Sequence, residues 1–211
     1  MIKRTVLIAI AGLVAAAAGA QMVNCIVAVV NGQVITLLDV QVAAEFGLAG
    51  PAAPAEGTDP REAALEALVD RKLVLDLARE VRSADRGEVA AAAAELKTSM
   101  GEEAFAAKLA KFGLTEAGLA PYLEERILYD RALALRFSPG IPVSVTEVER
   151  YYRDIYVPEQ TRLGRAVEPI DRASGAIETA IRDERRTQQM ATWVRDLRKR
   201  ADIQLRKDRL K

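Results

Sequence analysis

Apolar residues recur at helical spacing over most of this chain. The strongest stretch opens at Asp59-Pro60-Arg61-Glu62. Asp59 can cap a first turn, Pro60 sits where its missing N–H costs nothing, and Glu62 falls at the capping-box position. Leu65, Val69, Leu73, Leu77 and Val81 then recur every fourth residue, with Leu68 and Val74 beside them. Arg71, Lys72, Asp76, Arg79 and Glu80 mostly fill the other face. The pattern predicts a helix of about 22 residues, roughly 33 Å long. It is the spine of a run of helices from Asp59 to Phe137.

The flanking segments read as shorter elements. Ile26-Val27-Ala28-Val29-Val30 is a β-branched run ended by Asn31-Gly32, the preferred pair for a tight hairpin, with Gln33-Val34-Ile35 as return strand. Thr36, with Asp39 at capping-box spacing, opens a helix from Leu37 to about Phe46. Pro51, Pro54, Gly50 and Gly57 mark a loop from Gly47 to Thr58. Beyond the spine, the pattern breaks at Ser83 to Gly87 and gives helices over Glu88 to Met100 and Glu102 to Phe112. Thr115 caps a long segment to Phe137, in which Pro121 should kink or restart the helix. Ser138-Pro139-Gly140-Ile141-Pro142 is a stop. Ser144 and Glu147 form a capping box before Val148, Tyr151, Tyr152, Ile155 and Tyr156. Pro158 to Ala173 reads as irregular. Ser174 starts a last long helix with Ile177, Ile181, Met190, Trp193, Val194, Leu197 and Ala201 on its buried side. Asp202 to Arg206 alternates as a short closing strand, and a basic tail follows.

Composition points the same way. Half the residues are hydrophobic but only 5% are aromatic, which suits closely packed helices better than a β-sandwich. The fold class is mainly α. Lys3 and Arg4, an apolar run from Thr5 to Ala17, and Ala18-Gly19-Ala20 read as a signal peptide over 1–20, cleaved after Ala20. A retained anchor is the competing reading, but the run is short and alanine-rich for about 30 Å of hydrocarbon. Met22-Val23-Asn24 lacks the small residue before Cys25 that a lipid-modified cysteine needs. A lone cysteine forms no internal disulfide, so packing alone must hold an exported chain. The whole chain has 30 basic and 30 acidic residues; without Lys3 and Arg4 the balance is −2. This gives no steering towards nucleic acid.

The chain has no histidine, which removes the commonest general base and metal ligand. It has no Gly-rich phosphate loop, Gly-x-Ser-x-Gly elbow or Asp-rich calcium loop, so no cofactor is expected. Glu102/Glu103 and Glu124/Glu125 are helix neighbours that point about 100° apart and belong to a solvated face. The basic residues from Arg195 to Lys211 read as a wet helix face and tail.

The order of these pieces resembles the SurA-type periplasmic chaperones. Ile26-Val27-Ala28-Val29-Val30-Asn31-Gly32-Gln33-Val34-Ile35-Thr36 with Asp39-Val40 is similar to that family's opening. Arg61 to Leu77, Glu102 to Phe112 with Gly113-Leu114-Thr115, Ser144 to Val148 with Tyr151-Tyr152, and Ala201 to Leu205 resemble later segments in the same order. The resemblance implies a helical bundle whose N-terminal strands are completed by the distant C-terminal strand. The implied division is one domain over 21–211, with an N-terminal core at 21–137, a connecting part at 138–173 and a closing helix and strand at 174–211. The family usually carries a parvulin-type prolyl isomerase module where Pro158 to Ala173 stands. Sixteen residues cannot build a domain of about 50 or more, and the histidines such a site uses are missing.

The expected function is therefore that of an ATP-independent periplasmic holdase. Its partners would be unfolded or extended polypeptides, outer-membrane proteins being the class the resemblance implies. No nucleic acid and no stable membrane anchor after cleavage are expected. Candidate client-facing residues are Phe105, Phe112, Tyr122, Tyr151, Tyr152 and Tyr156, because aromatics are scarce and cluster near helix ends. A place in the core is the competing reading for each. Two other classes stay open: a prolyl isomerase with a degenerate site, and an envelope scaffold that binds one folded partner.

Overall fold

The computed structural model describes residues 24–50, 57–78, 83–137 and 140–210. The signal peptide, Pro51 and Pro54, Val81 at the end of the predicted spine, and Ser138-Pro139 lie outside the described residues.

Strands β1 (Ile26–Val30) and β2 (Gln33–Thr36) form the predicted hairpin. Asn31 and Gly32 both take positive φ, 47° and 80°, as a two-residue turn matched to strand twist requires. β3 (Ile203–Leu205) pairs antiparallel with the other edge of β1, with Val30 opposite Ile203 and Ala28 opposite Leu205. The sheet order is β2-β1-β3, so β1 joins the two ends of the described chain. Asn31 also fixes this register. Its backbone N–H donates to the Asp202 carbonyl at 2.9 Å, and its side-chain oxygen accepts from the Asp202 N–H at 3.0 Å.

α1 (Leu37–Glu45) starts at Thr36 through a complete capping box with Asp39. α2 (Pro60–Leu77) is the spine. Asp59 caps it by accepting from the Arg61 N–H at 2.8 Å, but Glu62 makes no capping-box bond and pairs with Lys207 instead. Ala64, Leu65, Leu68, Val69, Leu73 and Val74 are buried, whereas Leu77 is exposed. Arg71 departs from the amphipathic reading, being only 2% exposed. Its Nη2 donates to the Leu48 carbonyl and its guanidinium lies 5.8 Å from the Tyr129 ring centroid. That bond ties down the chain leaving α1, which charge periodicity on one helix cannot reveal.

α3 (Arg86–Met100) begins two residues before Glu88, because Asp85 and Glu88 form the capping box. Gly101, at φ 85°, makes the joint to α4 (Glu102–Lys111), and α5 (Glu116–Phe137) follows. α5 runs unbroken through Pro121. The proline is exposed near the helix start, and the carbonyl it leaves free belongs to solvent-exposed Ala117. Sheet, α1, α2, α4 and α5 enclose the main core around Val27, Phe46, Leu65 and Leu119. This is the body.

α6 (Val145–Tyr151) has the predicted Ser144–Glu147 capping box. It continues through a π-helical turn (Tyr152–Tyr156) into α7 (Val157–Arg162), and α8 spans Ile170–Arg200. The segment read as irregular is thus helical at both ends, leaving a loop over 163–169. The π turn accommodates Pro158: Val157 bonds back five residues to the Tyr152 carbonyl just before the proline, which has no N–H to offer. Pro169 and Asp171, not Ser174, start α8; the Ser174 hydroxyl donates to the Asp171 carbonyl instead. Val148, Ala173, Ile177 and Ile181 form a second, small core with Tyr151, Tyr152 and Tyr156 against it. This is the arm. A third cluster, Val74, Ala132 and Leu133 with Phe137, Met190 and Trp193, fastens α8 to α2 and α5. The basic tail is docked: a 3-10 helix (Lys207–Leu210) buries Leu210, whose carbonyl accepts from Arg61 at 3.0 Å.

Candidate functional site

α8 is about 46 Å long at 1.5 Å per residue, apolar towards both ends and polar in the middle. Ile177 and Ile181 belong to the arm core, and Met190, Trp193, Val194 and Leu197 to the junction with the body. Between them, Arg182 to Gln189 carries no apolar side chain. A helical segment polar all round bridges two packed bodies rather than lying on one. Local pairs support it: Arg182 to Glu178 at 2.6 Å, Gln188 to Glu184 at 3.1 Å, and Arg186 to Asp183.

Two hollows meet over this bridge and share Arg185 and Gln188. One, of about 270 Å³, lies between α8 and the arm, with Ile181, Tyr151 and Ile155 among its walls. The other, of about 580 Å³, lies against the body, with Arg136 and Phe137 of α5 and Trp193 of α8. Ile181, Arg185, Gln188, Thr192 and Asp196 recur at helical spacing and so line one face of α8. Together the hollows form a trough with a polar floor and an apolar wall at each end. At the body end Phe137 and Trp193 meet edge-to-face with centroids 5.5 Å apart. The Arg136 guanidinium lies 5.9 Å from each ring. At the arm end Ile155 is 45% exposed.

Part of the floor's charge is paired, while Arg136, Arg150 and Glu184 also line the hollows. Arg185 donates to the Pro142 carbonyl at 2.8 Å and pairs with Glu147, and Lys199 pairs with Asp196 at 2.9 Å. The Ser144 backbone N–H, then the Ser144 hydroxyl, then Arg185 hold the Glu147 carboxyl down at about 2. Gln188, Gln189 and Thr192 present uncharged donors and acceptors between the walls. Such a trough can bury apolar side chains at its ends and satisfy backbone amides between them. Among the described residues, no group of three or more His, Cys, Asp and Glu is placed to hold a metal ion. No described helix is long and apolar enough to cross a membrane.

The six aromatics singled out from sequence do not converge on one surface. Phe105, 1% exposed, is core: it packs edge-to-face on Phe46 at 5.9 Å and cannot face a client. Phe112 is also buried, beside Phe46, and borders a separate hollow among α1, α2 and α4. The Tyr122 hydroxyl donates to Asp39 at 3.1 Å. Burial, then the Asp39 charge, pushes its phenol up to about 12. Tyr152 stacks on Tyr156 at 5.5 Å and donates to the Glu168 carbonyl at 2.8 Å, so both help close the arm core. Tyr151 alone of the six lines the trough.

No family model and no curated protein matches this chain. The trough residues missed from sequence are Phe137, Trp193, Ile155, Arg185 and Gln188, of which the spacing alone puts Trp193 on the buried side of the last helix. One signal for them was present: the gap in the apolar stripe of α8 between Ile181 and Met190.

Proposed function

We propose that this chain is an ATP-independent holdase for exported polypeptides and that the trough along α8 is where it holds them. One observation carries the reading: an open concavity with apolar side chains from two separate cores at its ends and a polar floor between them. Unfolded chains expose scattered apolar side chains and unpaired amides, and such a surface offers partners for both. Each anchor gains roughly 25 cal/mol per Å² of apolar area buried, offset by ordering of the client. Binding is therefore modest and release passive, driven by the client's own folding. The segments that resemble SurA-type chaperones support the same reading, and so does the pairing of β1 with β3 that the resemblance implies. On that reading the working compartment is the periplasm, with outer-membrane proteins among the clients.

The test is suppression of aggregation of a chemically unfolded client diluted into buffer. Light scattering falls at stoichiometric excess of the wild-type protein, and Ile155→Ser, a change at an exposed position, weakens the effect. Scattering unchanged by wild-type protein overturns the proposal.

A further inference from the structure

Asn31 ties three parts of the fold together through one short side chain. Its Nδ2 donates to the Asp76 carboxylate of α2 at 2.9 Å, and its Oδ1 accepts from the Asp202 N–H, just before β3, at 3.0 Å. Its backbone N–H donates to the Asp202 carbonyl at 2.9 Å. Gly32 follows, exposed like Asn31, with no side chain over its nitrogen and open space around its Cα. We propose that Asn31 is a site of self-modification: when α2 and β3 release it, its side chain is attacked by the Gly32 backbone nitrogen and loses its amide. The product can no longer hold either partner. Asn24, the chain's other asparagine, precedes Cys25, whose side chain shields the nitrogen that would attack.

The reaction is complete without an oxidant or cofactor. A bond forms between the Gly32 nitrogen and Cγ of Asn31, the Cγ–Nδ2 bond breaks, and ammonia leaves with the proton that the Gly32 amide gives up. Water then opens the cyclic imide at either carbonyl, leaving aspartate or its β-linked isomer. Ring closure needs the Gly32 nitrogen to rotate about the Asn31 Cα–C bond until it faces Cγ. The native turn opposes this: Asn31 and Gly32 sit at φ 47° and 80° in a two-residue connection closed by the Val30–Gln33 pair. The bonds to Asp76 and Asp202 brace that turn from outside the hairpin. Docking therefore protects Asn31, and undocking exposes it to attack. Afterwards a carboxylate faces Asp76 where a donor stood, and like charges at that distance repel. The β-linked isomer also adds a methylene to the turn and shifts β1 against β3. The step runs one way: a copy that loses β3 for long enough is marked and cannot take it back.

The test begins with the unaltered full chain, held in mildly alkaline buffer with and without urea. Peptide mapping by mass spectrometry follows loss of the amide at Asn31, with Asn24 as internal control. In urea Asn31 outpaces Asn24 and reacts more than about tenfold faster than in the folded protein. In the folded state Asp76→Ala, which removes one brace, speeds the reaction about fivefold. Asp76→Asn, which keeps an acceptor, leaves the rate near that of wild type. Asn31→Asp, the product made directly, lets trypsin cut at Arg206 sooner than in wild type. Adding Asp76→Asn, whose amide can donate to the new carboxylate, restores resistance. Equal rates with and without urea, an Asp76→Ala rate equal to wild type, or a tail as resistant in Asn31→Asp as in wild type overturns the inference.

Discussion

Body and arm draw on the same aliphatic and aromatic residues but are sealed to very different degrees. The body's core holds twenty buried residues drawn from the sheet, four helices and the docked Leu210. The arm's holds four, with tyrosines as a half-open lid. Val145, Ile155, Leu163 and Val167 stay exposed on the arm or its loop, Val145 at 75%. A helix pair with so small a core gains little from burial and keeps its apolar surface near solvent. Stability is thus concentrated in the body, while the small arm leaves as much apolar side chain near solvent as the far larger body does at Leu77 and Leu135.

The hardest blow to this contrast is struck in the body. Leu65→Ala removes a fully buried side chain from the spine and should cost about 3 kcal/mol. Urea unfolding followed by Trp193 fluorescence should show the whole protein shifting to a lower midpoint. Ile177→Ala in the arm should cost about 2 kcal/mol locally. Limited proteolysis should then cut between residues 140 and 181 while the body's urea midpoint holds. A body midpoint that falls in step would mean that the two regions unfold as one.

Acid provides a subtler division. The folded carboxyl of Glu147 sits near 2 against an ordinary 4.5, so its cap and its pair with Arg185 stabilise the arm fully above about pH 4.5. That contribution is lost as pH falls towards 2. Amide resonances of α6 should broaden or shift over this window before those of β1, and Glu147→Gln should abolish the difference. The smallest change is Tyr122→Phe, which deletes the hydroxyl bond to Asp39 and should lower body stability by about 1 kcal/mol in the same urea titration.

Local signals made most of the elements legible. Asn31-Gly32, the Thr36–Asp39 and Ser144–Glu147 capping boxes and the Asp59-Pro60 start all act within four residues, and each is found where the sequence places it. Misreadings arose where the deciding partner is distant. Arg71 is buried because the Leu48 carbonyl and Tyr129 receive it, and Glu62 turns from its cap to Lys207. The π turn before Pro158 hid a helix from a rule that treats proline as a stop. Apart from the gap in the apolar stripe of α8, the trough left no local mark for the same reason. Its walls come from α5, the arm and α8, and scarcity of aromatics could not show which were already taken up by Phe46 or by one another.

The central position of β1 also bears on when the protein can finish folding. One neighbour, β2, is available after a two-residue turn, while the other is about 170 positions further along. The hairpin can close at once, but the opposite edge of β1 stays unsatisfied until β3 reaches it. Joining ends so far apart in sequence is slow relative to helix formation. The helices therefore assemble around an unfinished sheet, which β3 completes from the far side of the helical run.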